Sequence, residues 1–229
     1  MKIKFIAIVG LLLLVQLKSI AQTNPVIEKV RQKLALVNDY VAEGVMKTDV
    51  SFIKASLGKV KVYYKKPNLI KVKKDGGISL LPKGGVSITM NSLLNTNQYI
   101  AIPSGKQIYN GKNLEVYKLV PTDDQLEWVI STLWIDPTES LVYKTFTTTK
   151  ENGSFEITME YGAYAEFGLP SKIVFGFNTK DYKLPNGITL EFGDEAPISK
   201  EKAKKNKKGT IEITYSKYTI NKGVSNASF

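Results

Sequence analysis

The stretch Leu126-Glu127-Trp128-Val129-Ile130-Ser131-Thr132-Leu133-Trp134-Ile135 decides how the rest of the chain is read. With the two-residue period of a strand, Trp128, Ile130 and Trp134 fall on one face, and Val129, Leu133 and Ile135 on the other. A strand apolar on both sides belongs in the middle of something covered on both faces. Its neighbours are simpler. Phe155, Ile157, Met159 and Tyr161 alternate with Ser154, Glu156, Thr158 and Glu160, and Ile173, Phe175 and Phe177 line up in the same way. Those segments have one wet face and one dry face.

Working outward, strands are predicted over 45–54, 59–66, 69–74, 78–81, 98–102, 114–120, 126–135, 140–149, 154–161, 171–178, 188–192 and 210–220. Between them lie Asp75-Gly76-Gly77, Asn110-Gly111, Asn152-Gly153 and Pro185-Asn186-Gly187. Asn-Gly favours tight hairpins because both residues tolerate positive φ. One amphipathic helix is predicted over 25–43, with Val26, Val30, Leu34, Val37 and Val41 on a single face. Asn24 can cap it, Pro25 suits its first turn, and Gly44 can end it. A short helix is a candidate over 88–97. The pattern predicts an α+β fold with a large, mostly antiparallel sheet. One helix cannot cover a face of some ten strands, so the sheet must curl around its own apolar side chains or bind something apolar there.

Residues 1–21 carry the marks of a secretory signal peptide. Lys2 and Lys4 precede the apolar run Phe5 to Val15, and Ser19 and Ala21 place small residues before a cut at Ala21-Gln22. The remaining 22–229 is expected to form a single exported domain. With no Cys in the chain, lipidation of an N-terminal cysteine and disulfide staples are both excluded. With no His either, Ser-His-Asp and Cys-His catalysis and zinc-ribbon sites fall away. Asp123-Asp124 and Asp136 are the remaining acid–base candidates. Adjacent residues on a turn point apart, however, and Asp136 before Pro137 reads as a turn former. Ser104-Gly105-Lys106 lacks the upstream glycine of a phosphate loop, that position being Ile100. No catalytic residue, metal or cofactor is expected.

The formal net charge is +11 over 229 residues. Without the signal segment, 29 basic residues face 21 acidic ones. Thirteen of the 29 lie in two short segments, Lys59 to Lys74 and Lys200 to Lys208. Lys65, Lys66, Lys204, Lys205, Lys207 and Lys208 are taken as a basic patch for anionic headgroups or an acidic partner. A solvated loop and a charged edge strand would explain them equally well.

Several segments in order give the chain a resemblance to the LolA-like family of periplasmic lipoprotein-sorting and lipid-carrier proteins. Gly58-Lys59-Val60-Lys61-Val62-Tyr63-Tyr64-Lys65-Lys66-Pro67-Asn68-Leu69 is similar to a family strand running into a Pro-Asn pair. A strand near Asp75-Gly76, Tyr117-Lys118-Leu119-Val120-Pro121, Trp134-Ile135-Asp136, Phe175 to Phe177 with Leu184-Pro185-Asn186-Gly187, and Tyr218 to Val224 follow in the expected places. The resemblance implies an incomplete β-barrel, or deeply curved antiparallel sheet, with a helical lid over an apolar concave face that receives acyl chains. The founding carrier's arginine latch does not carry over, because the only arginine is Arg31, on the helix.

The cavity candidates are then Val60, Val62, Tyr64, Trp128, Ile130, Trp134, Phe155, Ile157, Met159, Ile173, Phe175 and Phe177. The lid or helix face is Val30, Leu34, Val37 and Val41. The implied partners are a lipoprotein acyl chain or other lipid, an inner-membrane donor, an outer-membrane acceptor and a transient membrane surface. No nucleic acid is expected, and the state is a monomer. The alternative is a non-enzymatic envelope interaction or sensor module with a filled core, binding a protein or anionic glycan through its lysines.

Overall fold

The structure is a computed structural model, and it describes residues 24–49, 57–75, 90–94, 98–178 and 208–229. Helix α1, Pro25–Ala35, comes first, followed by strands β1 (Asp39–Asp49), β2 (Leu57–Lys65) and β3 (Leu69–Lys74). Helix α2, Met90–Leu94, precedes β4 (Tyr99–Tyr109), β5 (Lys112–Pro121) and β6 (Trp128–Asp136). Strands β7 (Leu141–Thr149), β8 (Ser154–Tyr161), β9 (Pro170–Asn178) and β10 (Lys208–Ile220) complete the order. They form one antiparallel sheet in the order β3-β2-β1-β10-β9-β8-β7-β6-β5-β4. It is a meander in which β10 returns to close the gap between β1 and β9. Among the described residues, β3 and β4 are the edges, so the sheet is not a closed barrel.

Helix α1 reveals how far the sheet curls. Lys33 Nζ donates to the carbonyl of Glu139, in the β6–β7 turn, at 2.5 Å. Two residues on, the Ala35 carbonyl accepts from Lys66 Nζ, in the β2–β3 turn, at 2.7 Å. In a flat sheet those two turns would stand about 30 Å apart, six spacings at nearly 5 Å per strand. Both reach the last turn of one short helix, so the sheet is rolled around it. A single apolar cluster accordingly collects side chains from α1, α2 and strands across the sheet, including Ile27, Met46, Tyr64, Leu94, Leu133 and Ile211.

The predicted helix over 25–43 ends early, at Ala35. Asn24 caps its start as expected, its side chain accepting from Val26 N and Ile27 N. Its end is set from far away. The Asn221 side chain accepts from the backbone N–H of Asn38 at 2.7 Å and donates to the Leu36 carbonyl at 2.8 Å. Tyr40 and Val41 then enter the ladder with β2 and β10. The helical spacing of Val37 and Val41 is therefore accidental. Val37 is buried in the connection, whereas Val41 lies on the outer face of β1. Gly44 does not end a helix; it sits inside β1 at a bulge, where a Cβ would lie 2.2 Å from the Thr214 carbonyl oxygen.

Strand β4 runs to Tyr109, well past the predicted end at residue 102. Pro103 still pairs with Tyr117, and Ser104 and Gly105 are absorbed by a bulge on this edge strand, Gly105 taking φ +93°. The Asn110-Gly111 hairpin forms as predicted, with φ of 48° and 77°. The short helix expected over 88–97 is Met90–Leu94 among the described residues. The strands predicted over 78–81 and 188–192, residues 50–54 of the first strand, and the Pro185-Asn186-Gly187 turn lie outside the described residues.

Candidate functional site

The inner face of the rolled sheet is the candidate site, and strand register builds it. Tyr117, Leu133, Thr145, Ile157, Phe175, Ile211 and Thr48 are successive cross-strand partners from β5 through to β1. A parallel row runs Leu119, Ser131, Thr147, Phe155 and Phe177. Phe155 and Phe175 stack with ring centres 5.1 Å apart, and Phe177 lies 5.7 Å from Phe175. Cross-strand neighbours on one face touch in this way because the two-residue period stacks them side by side.

Ten of the twelve predicted cavity residues belong to this apolar interior. Val60, Val62, Tyr64, Trp128, Phe155, Met159, Phe175 and Phe177 are in the buried cluster, with Ile157 and Ile173 packed against it. Ile130 and Trp134 are not. The period-two reading placed both beside Trp128, and a bulge separates them. Trp128 pairs with Thr149 and Ile130 with Thr148, so Val129 is the extra residue and the strand changes sides across it. Trp128 consequently faces inward, 3% exposed, while Val129 is 47% exposed. Trp134 lies on the outer face, where its Nε1 donates to Gln107 Oε1 and the Lys144 ammonium stands 5.1 Å from its ring. The strand read as covered on both sides thus has an inner apolar face and a half-exposed outer one.

One part of the interior, Tyr64 apart, escaped the sequence reading. Tyr40, Tyr64, Tyr215 and Tyr218 form an aromatic cluster on β1, β2 and β10, joined by Tyr164 from the β8–β9 connection. Ring centres are 5.1 Å apart for Tyr40–Tyr64, 5.0 Å for Tyr164–Tyr218 and 5.1 Å for Tyr215–Tyr218. Burial, reinforced by neighbouring tyrosines, holds the Tyr40 and Tyr218 hydroxyls well above their ordinary pKa, and burial does the same at Tyr215. They are neutral hydrogen-bonding groups at any physiological pH. Tyr218 donates to the Pro170 carbonyl at 2.8 Å and Tyr161 to that of Val142 at 2.7 Å. The alternation of Ile211, Ile213 and Tyr215 on β10 was the available signal.

The helices pack closely on this face. Val30, Leu34, Met90, Val142 and Tyr161 line a crevice of about 10 Å³, at the lower limit for a single water. A polar hollow of about 240 Å³ lies elsewhere, between the β5–β6 and β7–β8 turns, lined by Asp124, Glu127, Lys150 and Asn152 among others. The acid–base candidates are occupied as turn formers. Asp136 Oδ1 accepts from the backbone of Thr138 and Glu139, and Asp123 Oδ1 from that of Gln125. Among the described residues no cluster of carboxylates could hold a metal ion, and no helix is long and apolar enough to cross a membrane. In the predicted basic patch, Lys66 is turned to the end of α1, and Lys65 donates to Asn226 Oδ1 at 2.7 Å. Lys204, Lys205 and Lys207 lie outside the described residues, and Lys208 opens β10.

Three solved structures share this arrangement over most of both chains. A domain named for outer membrane lipoprotein sorting, from Vibrio parahaemolyticus, superposes with a TM-score of 0.53 at 11% identity, covering 88% of this chain and 94% of its own. A LolA superfamily protein from Nitrosomonas europaea gives 0.51 at 11%, over 89% and 95%. This chain and those two share one fold. A DUF1329 family protein from Desulfovibrio piger matches the same sheet at a TM-score of 0.52 and 12% identity, over 90% of this chain and 98% of its own. No family model and no curated protein matches the sequence. The curved antiparallel sheet with an N-terminal helix, expected from the resemblance, is therefore the architecture observed.

Proposed function

We propose that the protein is a non-catalytic carrier that sequesters the acyl chains of a lipoprotein, or another lipid-like ligand, against the inner face of its rolled sheet. The observation that carries this reading is the single apolar cluster that reaches from Phe155, Phe175 and Phe177 to Ile211, Met46 and Tyr64. Each methylene removed from water into such a lining gains about 0.8 kcal/mol, so a dry interior lets an acyl chain cross an aqueous space with no covalent step. The LolA-type fold of proteins named for lipoprotein sorting supports the same reading. With its leader removed at Ala21-Gln22, the chain would work as a monomer in the periplasm, between an inner-membrane donor and an outer-membrane acceptor.

The small crevice under α1 gives the mechanism its shape. Acyl chains enter only if α1 and α2 move off the sheet. Helix α1 is held by bonds that can be broken one at a time, from Lys33, Lys66 and Asn221. Lipid extraction and native mass spectrometry of the protein from its own envelope, with binding of a fluorescent fatty acid, test the proposal. Phe175→Glu should abolish binding in a folded protein. An empty native protein that also fails to bind the probe would overturn the reading. The same tight crevice favours one rival, an envelope interaction module with a filled core, for which that empty result is the expected one.

A further inference from the structure

We propose that the outer face of β1, β2, β3 and β10 is a docking surface for a bilayer rich in anionic phospholipid. The lysines that looked like a run in sequence become a two-dimensional array in the sheet. Odd-numbered residues of β2 and β3 point outward, so Lys59, Lys61, Lys65, Lys71 and Lys73 share one face, while Val60, Val62 and Tyr64 point into the core. Register adds Lys47 from β1 and Lys217 from β10, the latter opposite Glu43. Neighbouring positions in such an array lie about 5 to 7 Å apart, within one Debye length at physiological salt.

Among the described residues these lysines have the following partners. Lys61 stands 3.2 Å from Glu43, the Lys73 ammonium sits 5.0 Å over the Tyr63 ring, and Lys71 donates to the Phe229 oxygen at 2.6 Å. The other acids on this face are Asp39 and Asp49 of β1, Glu212 of β10 opposite Lys47, and Asp75 just past β3; Asp39 accepts from Gly223 N, and Glu212 is drawn to Lys172 at 3.3 Å. Lys61 and Lys73 are direct cross-strand partners, an arrangement that costs stability in the absence of a counter-charge. Guarding a free edge needs lysines only on β3. Here they extend inward over three further strands, which edge protection does not explain. Two exposed leucines flank the array, Leu57 at one end of the hairpin, 72% exposed, and Leu69 at the other, 46% exposed. A lysine-rich face rimmed by apolar side chains matches the headgroup and upper acyl region of an anionic bilayer.

This surface lies on the opposite side of the sheet from the apolar interior, so its test is independent of the carrier reading. Sedimentation of the full chain with vesicles of phosphatidylethanolamine and phosphatidylglycerol should show binding that is lost in phosphatidylcholine vesicles and at high salt. Each lysine removed should weaken binding about fivefold, so Lys59→Ser/Lys73→Ser/Lys217→Ser should weaken it about a hundredfold. Lys29→Ser/Lys106→Ser/Lys118→Ser makes the same change in net charge elsewhere on the surface and should bind like the parent. Lys217→Ser alone carries the test if the triple variant loses its fold. Equal binding to both vesicle types, equal loss in the two triple variants, or retention on a polyglutamate matrix with no vesicle binding would overturn the proposal.

Discussion

Strands β2 and β6 lie in the same sheet and feed the same core, yet only one of them obeys simple alternation. In β2, Val60, Val62 and Tyr64 are buried and Lys59 and Lys61 are exposed, an uninterrupted ladder against β1 and β3. In β6, one extra residue at Val129 sends Trp128 inward while Ile130 and Trp134 stay outside. Alternation is a property of a continuous ladder, and a single bulge inverts everything on its far side. The two tryptophans, identical in sequence terms, therefore have opposite physical roles. Trp128 fills the core, whereas Trp134 shields the outer surface of β6 beneath Lys144.

The contrast can be broken most directly at those tryptophans. Trp128→Ala should cost about 4 kcal/mol in urea unfolding, as expected for a large side chain deleted from a core, and Trp134→Ala about 1 kcal/mol. Acrylamide should quench the Trp128→Phe variant, which keeps Trp134, far more than the Trp134→Phe variant. Equal quenching would mean that β6 alternates as β2 does.

The bulge that Ser216 of β10 makes opposite Glu43 and Gly44 of β1 offers a second measure. Gly44→Ala should destabilise by about 3 kcal/mol, because the added Cβ meets the Thr214 carbonyl, a backbone atom that cannot step aside. A neutral effect there would show that β10 does not approach Gly44 so closely.

Alkaline titration probes the inner face as a whole. Burial, with help from a hydrogen bond to Glu115, pushes Tyr117 up to about 12, and Tyr40 and Tyr218 are also raised. A phenol whose pKa is raised in the folded state contributes stability that is complete below its unfolded value near 10. That contribution drains away as pH climbs through the folded value. Stability should therefore be flat toward pH 9 and fall between about 10 and 12, followed by unfolding midpoints across that window. The smallest change is expected at Thr145, whose Oγ1 is buried with no hydrogen-bond partner. Thr145→Val should raise stability by about 1 kcal/mol, since a desolvated hydroxyl is exchanged for a methyl of the same shape.

Most strands were legible in the sequence because alternation and turn chemistry are local. Asn110-Gly111 carries its own positive φ preference, and the Phe155-Ile157-Met159 stripe needs only a neighbour to become core. What escaped was set by contacts distant in sequence. Asn221, at the end of β10, terminates α1, so the run from Val26 to Val41 reads as one helix until β10 is in place. Pro103-Ser104-Gly105 reads as a loop, but on an edge strand β5 supplies a partner for the residues on either side.

By itself, then, the amino-acid sequence determined that this is a mainly antiparallel β protein with an early amphipathic helix, an apolar face to bury, and neither the thiol nor the imidazole of common catalytic sites. It also determined which residues of β2 alternate between lysine and aliphatic. Only the tertiary structure decided that ten strands roll around α1, that Trp128 and Trp134 part company, and that the lysines of four strands meet on one outer face. The reason is that side-chain type and two-residue period are local properties of the chain, whereas bulges, strand order and curvature arise from which ladder each segment joins.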